Sequence, residues 1–187
     1  MRTVNFENVS YESNVEFVVT IPSELSPYTS YKLDARTTMG VIVELIIQST
    51  QYLTIAFPFV QHKSEMKNPS IFVALEKAIK RGVRVNLFST GEGIDNLVSD
   101  LSIKNRNHVH FFQPRANIYD KKRLGSHAKF CLSDGNRAYI GSANLTWPGL
   151  HTNFEMGVLV EGKIANDVLN FWKLIVEEGI IVEIFPS

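Results

Sequence analysis

The stretch from Ser126 to Glu155, SHAKFCLSDGNRAYIGSANLTWPGLHTNFE, limits what this chain can fold into more than any other part of it. Apolar and polar residues roughly alternate from His127 to Leu132, the period of a half-buried strand, and Ala138, Tyr139 and Ile140 are β-prone. Asp134-Gly135-Asn136 supplies a turn between the two runs, so the stretch reads as two strands paired antiparallel. Residues two apart on a strand point to the same side. His127 and Lys129 therefore share a face, and so do Ser142 and Asn144 if the second strand continues through them. The pairing collects an imidazole, an ammonium, a hydroxyl and a carboxamide in one place. Such a set suits an anionic tetrahedral centre, for example a phosphodiester, and needs no carboxylate cluster to hold a metal.

The remaining chain reads as alternating strands and helices. Val15 to Ile21 is a strand ended by Pro22, and Ser23 to Asp34 is loop-like. Thr37 or Thr38 caps a helix over Met39 to Ser49 whose circumference is mostly apolar, which places it against a sheet. Tyr52 to Phe57 is a buried strand closed by Pro58, followed by a polar loop over Gln61 to Pro69 that is read as solvated. A helix starts at Ser70, carries Ile71, Phe72, Leu75, Ala78 and Ile79 on one face, and stops at Gly82 before a strand from Val83 to Phe88. This helix, glycine, strand succession is the mark of a β-α-β unit and a largely parallel sheet. A short helix from Ile94 to about Ser102, a strand from His108 to Gln113, a strand from Phe154 to Val160, a helix from Ile164 to Val176 and a strand from Ile180 to Phe185 complete the order.

Composition narrows the class of protein. A chain of 187 residues with 44% hydrophobic and 20% charged residues fits one soluble domain, with residues 1–36 as an extension carrying one strand. The longest apolar stretch, Met39 to Ile47, contains Glu44 and is far short of the roughly 20 residues that span a bilayer. The first thirty residues lack the unbroken apolar core of a secretory signal, so a cytoplasmic location is expected. Cys131, the single cysteine, excludes an internal disulfide and sits where a buried structural thiol is expected. Formal net charge is zero, so any nucleic-acid binding must rest on a local patch.

One such patch lies just ahead of the histidine strand. Arg115, Lys121, Lys122 and Arg123 are positioned to grip phosphates flanking a scissile bond, and Tyr119 to stack on a base, with Trp147 grouped beside them as a further substrate-binding candidate. The alternative is a solvated face. His108 and His110 share a strand face as a metal pair does, yet no third ligand lies near in sequence, and a solvent-facing edge is the better reading. Gly91 and Gly93 precede no GxxxxGK pattern and are read as a turn.

A lone histidine in a strand is usually structural, and Gly-Ser-x-Asn alone is a common turn composition. The joint spacing is what distinguishes this stretch. His127-x-Lys129-x4-Asp134-x6-Gly141-Ser142-x-Asn144 resembles the HKD motif of the phospholipase D superfamily, with every position filled. The resemblance covers the chain from about Thr37 to its C-terminus and implies an α/β fold: a phospholipase D-like sandwich with a mixed, mostly parallel sheet flanked by helices, residues 37–187 forming the catalytic domain. It also implies chemistry without a metal or other cofactor, in which two HKD motifs meet at one site. One histidine attacks phosphorus to give a phosphohistidine, and the other protonates the leaving group and then activates water. With one motif here, the resemblance implies a homodimer that contributes His127 twice. Lys129 and Asn144 match positions that hold the non-bridging phosphate oxygens, Ser142 a position that supports this pocket, and Glu155 the downstream acid that orients a motif histidine. Asp134 is given a structural role in the turn.

Length and single motif resemble the small Nuc-type nucleases. The wording from Ser142 to Thr146, then Gly149-Leu150 and Asn153-Phe154-Glu155, is closer to phospholipase D-like proteins of bacterial defence loci such as the DISARM-associated group. The implied function is a metal-independent phosphodiesterase cleaving DNA or RNA. The alternatives are a phospholipase or phosphatidyltransferase, disfavoured by the absence of a basic amphipathic helix for a membrane surface, and a nucleic-acid-binding subunit of a larger complex served by a helicase or ATPase partner.

Overall fold

The fold is that of a computed structural model, which describes residues 14–22, 24–25, 33–101, 108–115 and 126–184. Its elements run β1 (Val15–Thr20), β2 (Arg36–Thr37), α1 (Thr38–Gln48), β3 (Tyr52–Ala56), α2 (Ser70–Lys80), β4 (Arg84–Phe88), α3 (Glu92–Asp100) and β5 (Val109–Pro114). They continue with β6 (Phe130–Ser133), β7 (Arg137–Gly141), β8 (Glu155–Glu161), α4 (Lys163–Glu177) and β9 (Ile181–Ile184). The strands form one nine-stranded sheet in the order β2-β1-β8-β7-β6-β3-β4-β5-β9. β1 is an interior strand of that sheet, paired with β2 on one side and β8 on the other.

The sheet is mixed and flanked by helices, as expected, but it is not mostly parallel. Only the β1–β2, β3–β4 and β4–β5 pairings are parallel, and the β1–β8, β3–β6, β5–β9, β6–β7 and β7–β8 pairings are antiparallel. The reason lies in the connections. α2 and α3 are long enough to carry the chain back across the sheet between β3, β4 and β5, whereas the Asp134-Gly135-Asn136 turn between β6 and β7 leaves no room for a crossover.

Strand alternation sends successive residues into two cores. On one face Leu53, Ile55, Val85, Leu87, Cys131, Tyr139 and Leu159 pack under α1, α2 and α3. On the other face Ala56, Phe88, Phe112, Phe130, Leu132, Ala138 and Val160 pack under α4 alone. Trp172 anchors α4 there, meeting Phe88, Phe112 and Phe130 edge-on at 6.4, 5.1 and 6.3 Å between ring centroids. α1 starts at Thr37, whose hydroxyl accepts from the Gly40 amide, and buries Val41, Ile42, Leu45 and Ile46 as a stripe of helical period. Its polar side is tied to the sheet, since Glu44 accepts from Arg137 at 2.9 Å and also from Arg36, while Arg137 reaches Glu161 at 2.7 Å. Among the described residues no helix is long and apolar enough to cross a membrane.

Register brings the strand ends next to His127, Lys129 and Ser142 to one edge of the sheet. The end of β1 meets the start of β8 at Thr20 and Glu155, the end of β3 meets the start of β6 at Ala56 and Phe130, and the end of β7 lies opposite Gly157. Whatever precedes β6, follows β7 or opens β8 therefore comes together there.

Candidate active site

His127 and Lys129 lie on an extended lead-in to β6, three and one residues ahead of the ladder that the sequence pattern placed them in. The ladder still reaches the lysine, because the Gly141 amide donates to the Lys129 carbonyl at 3.1 Å. His127 is exposed, whereas only 4% of Lys129 meets solvent. The Lys129 ammonium donates to the His127 carbonyl at 3.0 Å and sits 3.2 Å from the ring Nδ1. Burial pushes the Lys129 pKa below its ordinary value, and the nearby charge of Glu155 works against that fall. On the other side of this lead-in, Ser126 and Ala128 face an apolar cleft shared with Phe171 and Trp172.

β7 ends at Gly141, so Ser142 and Asn144 do not continue its strand face as the alternation allowed. Ser142 instead sits where the chain leaves the sheet, held by its amide donating to the Met156 carbonyl at 3.0 Å. Its hydroxyl donates to one Glu155 carboxylate oxygen and accepts from the Met156 amide at 3.1 Å, and Asn153 donates to the other Glu155 oxygen at 3.0 Å. Glu155 is thus fixed by Ser142 and Asn153 and acts on Lys129 through space. Its hydrogen bonds within the chain do not include one to His127.

Asp134 stands apart from this group. It lies past the far end of β6, about 16 Å from Lys129 at a strand rise of about 3.3 Å per residue. Its carboxylate accepts four bonds, from the Thr50 amide and hydroxyl at 2.9 Å each, the Gln51 amide at 2.9 Å and the Tyr52 amide at 3.0 Å. Burial pushes its pKa up, but these bonds outweigh that and hold the carboxyl below its ordinary value. Asp134 therefore ties the β6–β7 turn to the segment joining α1 and β3.

The substrate-binding candidates divide. Tyr119, Lys121, Lys122 and Arg123 lie outside the described residues. Arg115 follows β5 and is engaged by the C-terminal end of α4. Its amide donates to the Ile180 carbonyl at 3.1 Å, and a Cβ on Gly179 would come within 2.8 Å of its guanidinium. Trp147 is close to the motif, on the loop after Asn144, stacked on His151 at 3.8 Å between centroids with the Lys67 ammonium 5.4 Å from the ring centre. Burial lowers the His151 pKa, favouring the neutral ring in that stack.

Sequence reasoning missed the segment that frames Trp147. The loop read as solvated is pinned to the motif loop by a bridge between Val60 and Leu145, and the Trp147 amide donates to the Gln61 side chain at 2.7 Å. His62 and Lys63 turn away from the site, His62 to Asp100 at 3.1 Å and Lys63 to Glu76 at 2.6 Å. No spacing in Gln61 to Pro69 signals these contacts, because they depend on the parallel bridge and not on local pattern. Among the described residues no group of three or more His, Cys, Asp or Glu side chains is placed to hold a metal ion, and His110 pairs with Glu183 across β5 and β9 at 2.7 Å.

Residues 42–174 match the family described as "Cardiolipin synthase, PLD-like domain". The chain is 30% identical over 187 residues to the DISARM protein DrmC of Bacillus paralicheniformis, a match covering 97% of this chain and 68% of that protein. Nuc from Salmonella typhimurium, a phospholipase D family member, shares the fold with a TM-score of 0.63 and 18% identity over 94% of this chain and 100% of its own. NucT from Helicobacter pylori does so with a TM-score of 0.64 and 15% identity, over 92% of this chain and 100% of its own.

Proposed function

Since the chain belongs to the phospholipase D superfamily, we propose that it is a metal-independent phosphodiesterase that cleaves DNA or RNA through His127. The observation that carries this reading is the buried Lys129 ammonium, bonded to the backbone of His127 and next to its ring, beside a Ser142–Glu155 pair. An ammonium shielded from water in a neutral protein is an effective site for a phosphate oxygen, and Asn144 adds amide donors from the neighbouring loop.

In the proposed reaction His127 Nε2 attacks phosphorus and the bond to the leaving oxygen breaks. A second imidazole, protonated at both nitrogens, gives its Nε2 proton to that oxygen and is left neutral. The same imidazole then takes a proton from water, whose oxygen attacks phosphorus and breaks the P–N bond. One ring cannot hold the phosphoryl group and do both proton transfers, so the active unit is a homodimer sharing one site. An ammonium only donates, so while the Lys129 contact holds, Nδ1 accepts and the ring proton sits on Nε2, a form that is not nucleophilic at Nε2. A nucleophilic Nε2 needs Nδ1 protonated and facing an acceptor, a role that falls to a Glu155 carboxylate in the assembled dimer.

Likeness to DrmC, a DISARM protein, supports a place in bacterial defence, and the proposal includes a cytoplasmic location and a helicase or ATPase partner that delivers substrate. The resemblance of the motif and length to small Nuc-type nucleases favours nucleic acid over lipid as substrate. The test is cleavage of single- and double-stranded DNA and RNA by the purified protein in chelator, with His127→Ala as control and phospholipid vesicles in parallel. Chelator-resistant cleavage lost in His127→Ala supports the proposal. Intact nucleic acid overturns it, and headgroup release from the vesicles alone reassigns the site to lipid.

A further inference from the structure

Behind the motif loop lies a group of buried oxygens that the reaction above does not use. Tyr139 is fully buried, and its ring lies along β7 toward Gly141. A Cβ on Gly141 would stand 2.1 Å from the Tyr139 hydroxyl, and one on Gly157, the register partner of Gly141, would stand 2.6 Å from the ring. The two glycines therefore make the floor on which the phenol reaches the loop carrying Ser142 and Asn144. There its oxygen faces the Ala143 amide and Thr38, whose polar atoms offset part of the effect of burial that raises the phenol pKa to about 12. Neither completes a well-formed hydrogen bond with it, and both the Tyr139 Oη and the Thr38 Oγ1 are shielded from solvent and unpartnered in the protein.

Two more such atoms lie on the elements next to it. Thr20, 4% exposed, ends β1 one step beyond the Val19–Thr37 pairing and opposite Glu155, and its Oγ1 is likewise buried and unpartnered. Asn144, the residue after Ala143, has its Oδ1 buried and unpartnered. These orphans make up four of the six such side-chain atoms among the described residues, which are Thr20 Oγ1, Thr38 Oγ1, Tyr139 Oη, Asn144 Oδ1, Asn86 Oδ1 and His151 Nδ1. Each buried, unsatisfied polar group costs about 1–3 kcal/mol, and a buried water with two to four polar partners is the usual remedy.

We propose that the Tyr139, Thr38 and Thr20 hydroxyls hold an ordered water behind the motif loop, and that this hydrated cluster fixes the Asn144 carboxamide with its oxygen inward and its NH2 toward the substrate phosphate. Tyr139 is then a positioning residue. It touches no substrate, but without it the amide is free to flip and present an oxygen to the phosphate, which repels it. The inference rests on the phosphodiesterase reading for its kinetic consequence and not for its structural one.

Two measurements decide it. A high-resolution crystal structure is expected to show a water within hydrogen-bonding distance of Tyr139 Oη and Thr38 Oγ1, lost or displaced in Tyr139→Phe, and a dry cluster overturns the proposal even if the protein cleaves nothing. Turnover of bis(p-nitrophenyl) phosphate in chelator is expected to fall about tenfold in kcat with KM unchanged in both Tyr139→Phe and the near-isosteric Thr38→Val, the worth of about one hydrogen bond made in the transition state. Thr38→Ser, which keeps the hydroxyl, is expected to retain wild-type kcat. Wild-type kcat in both hydroxyl deletions, or an equal loss in Thr38→Ser, overturns the positioning role. An inactive wild type counts against the phosphodiesterase reading, and the water then decides the cluster by itself.

Discussion

Lys129 holds an ammonium where almost no solvent reaches it, and Glu155 is the charge that keeps it protonated against burial. Removing that carboxylate lets the lysine pKa fall further. Glu155→Gln is therefore expected to move the alkaline limb of the kcat/KM profile to lower pH, so that its activity deficit grows between neutral and alkaline pH. Lys129→Met, which removes the charge itself, is expected to cost about 10²–10³-fold in kcat, the usual loss for one donor to a transition-state oxyanion. Asp134 behaves in the opposite way, as a matter of stability. Its folded pKa lies below the unfolded value near 3.8, so its four hydrogen bonds stabilise the fold above that pH and the contribution is lost as pH falls through the folded value. Asp134→Asn is expected to lower stability at pH 7 by about 1–3 kcal/mol, a gap that closes in acid, with kcat per folded molecule unchanged. Chemical denaturation at pH 7 and pH 3 checks the sign. The spacing of the motif singled out both residues in the sequence. It could not reveal that Glu155 is spoken for by Ser142 and Asn153, because that depends on how β7 and β8 are paired.

The β6–β7 hairpin is where pattern and fold agree most and where the difference is most informative. Alternation placed the strands and the Asp-Gly-Asn turn, while His127 and Lys129, just before β6, lie outside the ladder, since hydropathy cannot tell a strand from an extended lead-in that shares its period. The first, second and last helices were legible to within a residue from their apolar stripes, α2 with its stop at Gly82, whose φ of 85° is one that glycine adopts without strain, while α3 runs two residues earlier than its pattern suggested. The two-residue β2 carries too little pattern to read. Gly141 looked like part of a turn composition and is instead a site of close approach. Gly141→Ala is expected to lose about 1–3 kcal/mol through overpacking against the Tyr139 ring, and Gly157→Ala at least as much, since its Cβ would meet that ring and also the Ile140 backbone carbonyl, each at 2.6 Å. Because both clash with the same side chain, the double variant is expected to lose less than the sum, which urea denaturation of the four proteins measures.

At the scale of the whole molecule, one edge of the sheet carries Lys129, Ser142 and Glu155 with a single His127 beside the lysine, and the proposed reaction needs two imidazoles. The polarity of the sheet was misread from the β-α-β signature because that signature governs only β3 to β5, and the antiparallel strands β6 to β8 that carry the motif are joined without a crossover of the β-α-β kind. In the proposed reaction a two-fold partner supplies the second imidazole. The solution mass is accordingly expected to be twice that of the 21.1 kDa chain. Mass alone does not prove a shared site, but mixing does. If wild-type and His127→Ala chains are unfolded together, refolded and assayed, a site built from two copies of His127 is active only where both are wild type, and activity follows the square of the wild-type fraction. An equal mixture is then expected to show about one quarter of the wild-type rate, whereas sites complete within each chain give about one half.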